Sequence, residues 1–161
     1  MELSYNVDEI FEIAEQIERN GAEFYRKAAG FSQDDARTFL LHLAEQEEQH
    51  ERTFSDLRST VVAEQERVAA NDQDDVVAGY LRAMAGQYVF HKEQSPADAL
   101  TGQESLTDIV ALAVQQEKDS ILLYLGLMDA MARGDDRDRI RLIVREEQQH
   151  LADLLKKQGA R

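Results

Sequence analysis

Two stretches of the chain place a carboxylate and an imidazole one helical turn apart: Glu47-Glu48-Gln49-His50 and Glu147-Gln148-Gln149-His150. Both read Glu-x-x-His, and the second lies 100 positions after the first. Apolar neighbours recur at the same offsets, with Leu40, Leu43 and Phe54 around one copy and Ile140, Ile143 and Leu154 around the other. Steps of three, four, three and four put all five positions of each copy on the inward stripe of a helix. Ionisable groups therefore stand where core residues are expected, and leaving such a pair unsatisfied in a core costs several kcal/mol. A cation shared between the copies would satisfy them.

A second doublet accompanies the first. Glu18 precedes Tyr25 by seven residues, and Glu117 precedes Tyr124 by seven. The series Glu18, Tyr25, Glu47, His50 then repeats as Glu117, Tyr124, Glu147, His150, with gaps of 7, 22 and 3 in one half and 7, 23 and 3 in the other. This is an internal repeat of a helix pair. A lone Glu-x-x-His in a glutamate-rich helix is ordinarily a salt-bridging surface. Two copies in register with apolar stripes, joined by two Glu-to-Tyr pairs, are far more specific. Glu48, Glu51, Glu146 and Asp119 read as solvated faces, His42 and His91 fall outside the repeat, and Glu23 and the set Met84, Met128 and Met131 read as structural.

Four long helices, each with one inward carboxylate and two with a histidine besides, supply four Glu and two His. Bundles that hold a pair of carboxylate-bridged iron or manganese ions use this set: one Glu from each of two helices and Glu-x-x-His from each of the other two. Oxygen and imidazole donors suit iron or manganese, and would accept zinc.

The elements that position these groups follow from composition and pattern. The chain has 161 residues, one proline, eight glycines and no cysteine. Abundant Ala, Glu, Gln, Leu and Arg indicate an all-α fold, and the length suits one domain over 1–161. Without cysteine there is neither a disulfide frame nor a thiolate metal site. The net charge of −14 argues against nucleic acid and anionic membranes as partners. No apolar run reaches the roughly 20 residues that span a bilayer, and Met1 to Tyr5 lacks the basic-then-apolar form of a signal peptide, so a cytoplasmic protein is expected.

The periodicity predicts a first helix from Asp8, its N-cap, to about Ala29 with Gly30 as its stop. Gly21, costly in mid-helix by about 1 kcal/mol, marks a close approach by another backbone or a bound group. A break at Phe31-Ser32-Gln33 leads to a second helix from Asp34 to about Thr60. Residues 61–71 either extend it or form a separate turn, with a break at Asn71-Asp72. Residues 73–91 form an amphipathic crossover helix with Val76, Val77, Tyr80, Leu81, Met84 and Tyr88 on one side, and 95–104 is the most loop-like stretch. A helix capped by Ser105 or Thr107 runs to about Arg133, and after a turn at Gly134 the last runs from Asp136 to Gln158. The result is one helix pair over 8–60, a long crossover over 61–104 containing an extra helix, and a second pair over 105–158.

These residues resemble the rubrerythrin and bacterioferritin branch of the ferritin-like family. The local wording that carries the resemblance is Ile17-Glu18-Arg19-Asn20-Gly21-Ala22-Glu23-Phe24-Tyr25 and Glu117-Lys118-Asp119-Ser120-Ile121-Leu122-Leu123-Tyr124. The resemblance implies a ferritin-like four-helix bundle in which Glu18, Glu47, His50, Glu117, Glu147 and His150 ligate two iron ions, with Glu47- or Glu147-type positions bridging in some members. It implies reduction of hydrogen peroxide or dioxygen by Fe(II), or alternatively ferroxidase chemistry for iron storage or transfer, and a homodimer. A non-catalytic metal-binding bundle is the third reading. Two departures stand out: there is no cysteine-ligated rubredoxin domain, so electrons would come from a separate donor protein, and Ser120 stands where rubrerythrin carries a further glutamate. The crossover is also longer than in a cage ferritin. If the first and fourth helices of this scheme run antiparallel, each tyrosine sits beside the other half's glutamate, so Tyr25 is expected to bond Glu117 and Tyr124 to bond Glu18.

Overall fold

The computed structural model describes residues 7–65, 75–90, 95–131 and 134–159. Five α-helices and one 3-10 turn occur in the order α1 (Val7–Phe31), α2 (Asp34–Gln65), α3 (Asp75–Phe90), the turn Pro96–Ala99, α4 (Leu106–Ala130) and α5 (Asp135–Gly159). There is no strand among the described residues. Helices α1 and α2 form one antiparallel pair and α4 and α5 the other, each pair packed most closely within itself. The short connections at 32–33 and 131–134 enforce this pairing.

Several boundaries differ from the pattern-based expectation, each for a local reason. Helix α1 begins at Val7, so Asp8 lies in its first turn rather than capping it, and there it receives hydrogen bonds from the Arg58 guanidinium of α2 at 2.6 and 3.0 Å. The helix also runs through Gly30 to Phe31; the stop is at Ser32, whose hydroxyl donates to the Ala28 carbonyl, and the chain reverses with Asp34 at φ 51°. Helix α2 continues past Thr60 to Gln65, one of the two readings open for 61–71, while the expected break at Asn71-Asp72, the side chain of Tyr88 and His91 lie outside the described residues. Ser105, not Thr107, caps α4, in a capping box in which its hydroxyl accepts from the Asp108 N–H and Asp108 accepts from the Ser105 N–H.

The crossover helix α3 lies against α4 and α1. Its inward residues are Leu81 and Ala85, with Val77 and Met84 half-buried beside them. Val76 is instead 78% exposed, and Tyr80 lies at the rim. Tyr80 departs from the expected stripe because it docks on Gly126: its ring fills the space a Cβ there would take, and its hydroxyl donates to the Leu122 carbonyl at 2.6 Å. The loop-like stretch is more ordered than its composition suggests. Ser95 caps Pro96–Ala99, and the Lys27 ammonium of α1 donates to the Ala97 carbonyl at 2.8 Å.

The interior divides into two apolar clusters. One gathers Ile10, Phe11, Phe54, Leu57, Leu81, Leu123, Leu127, Ile140 and Ile143 with Tyr124. The other gathers Phe24, Ala28, Leu40, Leu43, Ile109, Val110, Ala113 and Leu154 with Tyr25. Glu18, Glu47, His50, Glu117, Glu147 and His150 form neither; they make a buried polar layer between the two. The bundle is thus dry at both ends of a charged middle.

Candidate metal centre

The helical stripes deliver all six predicted ligand residues to this layer, each no more than 5% exposed. Glu18 comes from α1, Glu47 and His50 from α2, Glu117 from α4, and Glu147 and His150 from α5. Two groups of four form around two points: Glu18, Glu47, His50 and Glu147 in one, Glu47, Glu117, Glu147 and His150 in the other. In each group one donor atom per residue lies within 4.8 Å of the others. Glu47 and Glu147 belong to both groups, so each carboxylate spans the two points. Each of the other four residues belongs to one.

The two imidazoles stand face to face, ring centroids 5.8 Å apart and planes 24° from parallel. His50 turns Nδ1 inward, 2.7 Å from Glu147 and 3.5 Å from Glu18. His150 turns Nδ1 inward likewise, 3.3 Å from Glu47, 3.3 Å from Glu147 and 3.6 Å from Glu117. Proximity does not make these contacts hydrogen bonds, because donor and acceptor are not aligned. Nδ1 of both histidines, Glu18 Oε2, Glu47 Oε1 and both oxygens of Glu147 are buried without a hydrogen-bond partner. Orphaned buried polar atoms are rare, and here they converge on a shared pair of points. Four carboxylates also offset the charge of two divalent ions. The donor set therefore fits a pair of iron, manganese or zinc ions.

Packed so closely without metal, the carboxylates and imidazoles share protons. Burial, and next the charge of Glu147, push the carboxyls of Glu18, Glu47 and Glu117 above their ordinary range. Burial acts in the same sense on Glu147 itself, but the close approach of the Glu117 carboxyl and of the His150 and His50 imidazoles overcomes it and holds this carboxyl low. Burial acts to lower both histidines, yet neighbouring carboxylates outweigh it and push His50 up to about 12 and His150 to about 10. Without a bound cation, protons would take its place in this layer.

The tyrosines lie in the predicted cross arrangement. Tyr25 donates its hydroxyl hydrogen to Glu117, and Tyr124 donates to Glu18. Both hydroxyls are pushed well above their ordinary range, by burial and then by the charge of the carboxylate each one meets. Gly21 also has a structural reason: a Cβ there would lie 2.7 Å from Glu47 Oε2. The close approach inferred at this glycine is made by a carboxylate of the layer itself. Ser120 occupies the matching place in the second half, buried, with its hydroxyl donating to the Glu117 carbonyl at 2.9 Å. His42 is exposed and takes no part.

One participant was missed by pattern reading. Glu146 reads as a solvated face and its side chain is indeed 55% exposed, but its Oε2 lies 2.7 Å from Nε2 of His50 across the bundle. Its place immediately before the ligand-type Glu147 was the available signal; periodicity alone points it outward.

No family profile matches the chain, and no curated protein matches it. Among solved structures, a Thermotoga maritima protein proposed to be a ferritin-like diiron-carboxylate protein superposes with a TM-score of 0.71, over 98% of this chain and 97% of that one, at 22% sequence identity. Likeness at that identity speaks for architecture, and it agrees with the helix order. The fold of this chain is that of a ferritin-like helical bundle.

Proposed function

We propose that the protein is a di-iron carboxylate oxidoreductase of the rubrerythrin-like kind, taking two iron ions into the polar layer and reducing hydrogen peroxide or dioxygen. The observation that supports this reading is the pair of overlapping four-residue groups that share Glu47 and Glu147, with their facing donor atoms unsatisfied. Iron bound there would supply the redox chemistry, the two electrons that, with two protons, reduce one peroxide to two waters. The chain's own residues do the rest. Glu18 and His50 would hold one position and Glu117 and His150 the other, with Glu47 and Glu147 serving both. Tyr25 and Tyr124 fix the rotamers of Glu117 and Glu18. The apolar clusters at either end exclude bulk water, which strengthens every charge interaction within. Electrons would return from a donor outside this sequence, whose 161 residues hold no cysteine for rubredoxin-type iron.

The test is anaerobic titration of metal-free protein with Fe(II), followed by stopped-flow mixing with peroxide and with dioxygen in separate experiments. Saturation at two ions per chain with faster oxidation by peroxide supports the peroxidase reading. Faster oxidation by dioxygen moves the assignment to a ferroxidase or oxidase. Absence of a saturable endpoint removes the di-iron assignment.

A further inference from the structure

The ligand set repeats with near-perfect symmetry, but its surroundings do not. Each histidine faces the polar layer through Nδ1, leaving Nε2 to face away. On His50, Nε2 meets the carboxylate of Glu146 at 2.7 Å. On His150, Nε2 is buried and has no partner. The repeat accounts for the difference: Glu146 is the residue just before Glu147, and its counterpart just before Glu47 is Gln46, a neutral amide.

The consequence concerns the tautomer. An imidazole can bind a cation through Nδ1 only if its hydrogen sits on Nε2. A carboxylate beside Nε2 selects that form, fixes the ring plane and raises the basicity of Nδ1. His50 is prepared in this way. His150 is not, and must both select the tautomer and carry an unsatisfied buried N–H when it binds. Half-exposed Glu146 is screened by water, so the direction of its bond counts for more than its charge.

Building on the di-metal reading, we infer that the two metal positions are inequivalent: the Glu18–His50 position fills first, with Glu146 as a positioning residue acting through His50, and the Glu117–His150 position fills second. Loss of a carboxylate partner of a ligating histidine typically weakens metal affinity by about 10- to 100-fold. The two steps in the intact protein differ by a factor in that range.

The probe is Co(II), added to metal-free full-length protein and followed by calorimetry and by visible absorption. The expected result is two resolved steps of one ion each. E146A weakens the first step by about 10- to 100-fold and leaves the second in place, whereas E146Q, which keeps an acceptor but no charge, falls between E146A and wild type. Q46E strengthens the second step and brings the two together. Because Glu146 and Gln46 stand outside both apolar clusters, circular dichroism of the metal-free variants is expected to match wild type. Two equal steps in the wild type, unmoved by E146A, overturn the inequivalence while leaving the di-metal reading intact. Failure to saturate at two ions per chain overturns both.

Discussion

Tyr25 and Glu117 stand 92 positions apart, in different helix pairs, and are joined by a buried hydrogen bond from the phenol to the carboxylate. Tyr124 and Glu18 repeat the bond in the opposite sense, 106 positions apart. Two such crossed bonds can form only if α1 and α4 run antiparallel, so that each tyrosine comes beside the other helix's glutamate. The bonds therefore fix the register between the two pairs as well as the rotamers of two ligand-type side chains.

Replacing Tyr25 with Phe leaves a buried carboxyl oxygen without its donor, which costs about 1–3 kcal/mol. Tyr25→Phe and Tyr124→Phe are each expected to lower the thermal midpoint of the metal-free protein and to weaken Co(II) or Fe(II) binding by about 10-fold or more. Titration and thermal unfolding of both variants check this; unchanged affinity would show the tyrosines to be core residues only.

Gly21→Ala separates stability from metal binding. Alanine favours the helix by about 1 kcal/mol, and the atom its Cβ would strike is the far end of the flexible Glu47 side chain. The metal-free variant is therefore expected to unfold at or above the wild-type temperature. Displacement of Glu47, which serves both positions, is expected to weaken both metal-binding steps. A variant that is less stable yet binds normally would contradict this placement of Glu47.

The polar layer sets an unusual pH dependence for the metal-free fold. The histidines have folded-state values near 12 and 10 against about 6.5 unfolded, and Glu18, Glu47 and Glu117 are raised from about 4.3. All hold protons in the folded chain that the unfolded chain has released. Their contribution is full below the unfolded values and is lost as pH rises toward the folded ones. Glu147, held low, acts in the opposite sense: its contribution is full above its unfolded value and is lost only as pH falls below about 5. Metal-free protein in chelator is therefore expected to lose stability steadily between pH 6 and 9. Bound metal displaces those protons, so affinity rises with pH and the loaded protein does not follow that decline. Thermal unfolding with and without metal across this range is the check; parallel curves would refute it.

Gly126→Ala tests the crossover helix. The new Cβ collides with the Tyr80 ring and meets Leu81 Cδ2 at 3.2 Å, so Tyr80 leaves its seat and loses its bond to the Leu122 carbonyl. Overpacking of this kind costs about 1–3 kcal/mol. Amide hydrogen exchange is expected to accelerate in α3 (Asp75–Phe90) while the stoichiometry of two ions per chain is retained. Loss of an ion would show that α3 helps to close the centre.

Much of this was legible because the repeat makes the sequence its own control. The ligand residues were found through their intrusion into apolar stripes, and the crossed tyrosines through the matching seven-residue gaps. What escaped lay outside that periodicity. Gly30 looked like a helix stop, but a glycine can remain helical when the next turn is satisfied, and Ser32 supplies the bond that ends α1. Val76 and Tyr80 fell on the expected stripe of α3, but the notch at Gly126 on a different helix decides where Tyr80 lies. Periodicity points Glu146 outward, whereas its partner lies 96 positions away on another helix. Contacts between distant elements leave no mark on local spacing.

The sharing of Glu47 and Glu147 has a mechanical consequence. Each of the two ligand groups takes three side chains from one half of the chain and a fourth from the other. Neither hairpin alone holds a complete set, so occupancy of either position ties residue 47 to residue 147 much as a covalent cross-link would, but reversibly. Emptying the centre would leave two hairpins joined across this layer by protons alone, and otherwise held by apolar packing and by crossed phenol bonds. Metal supply would thereby govern how firmly the two halves of the molecule stay closed.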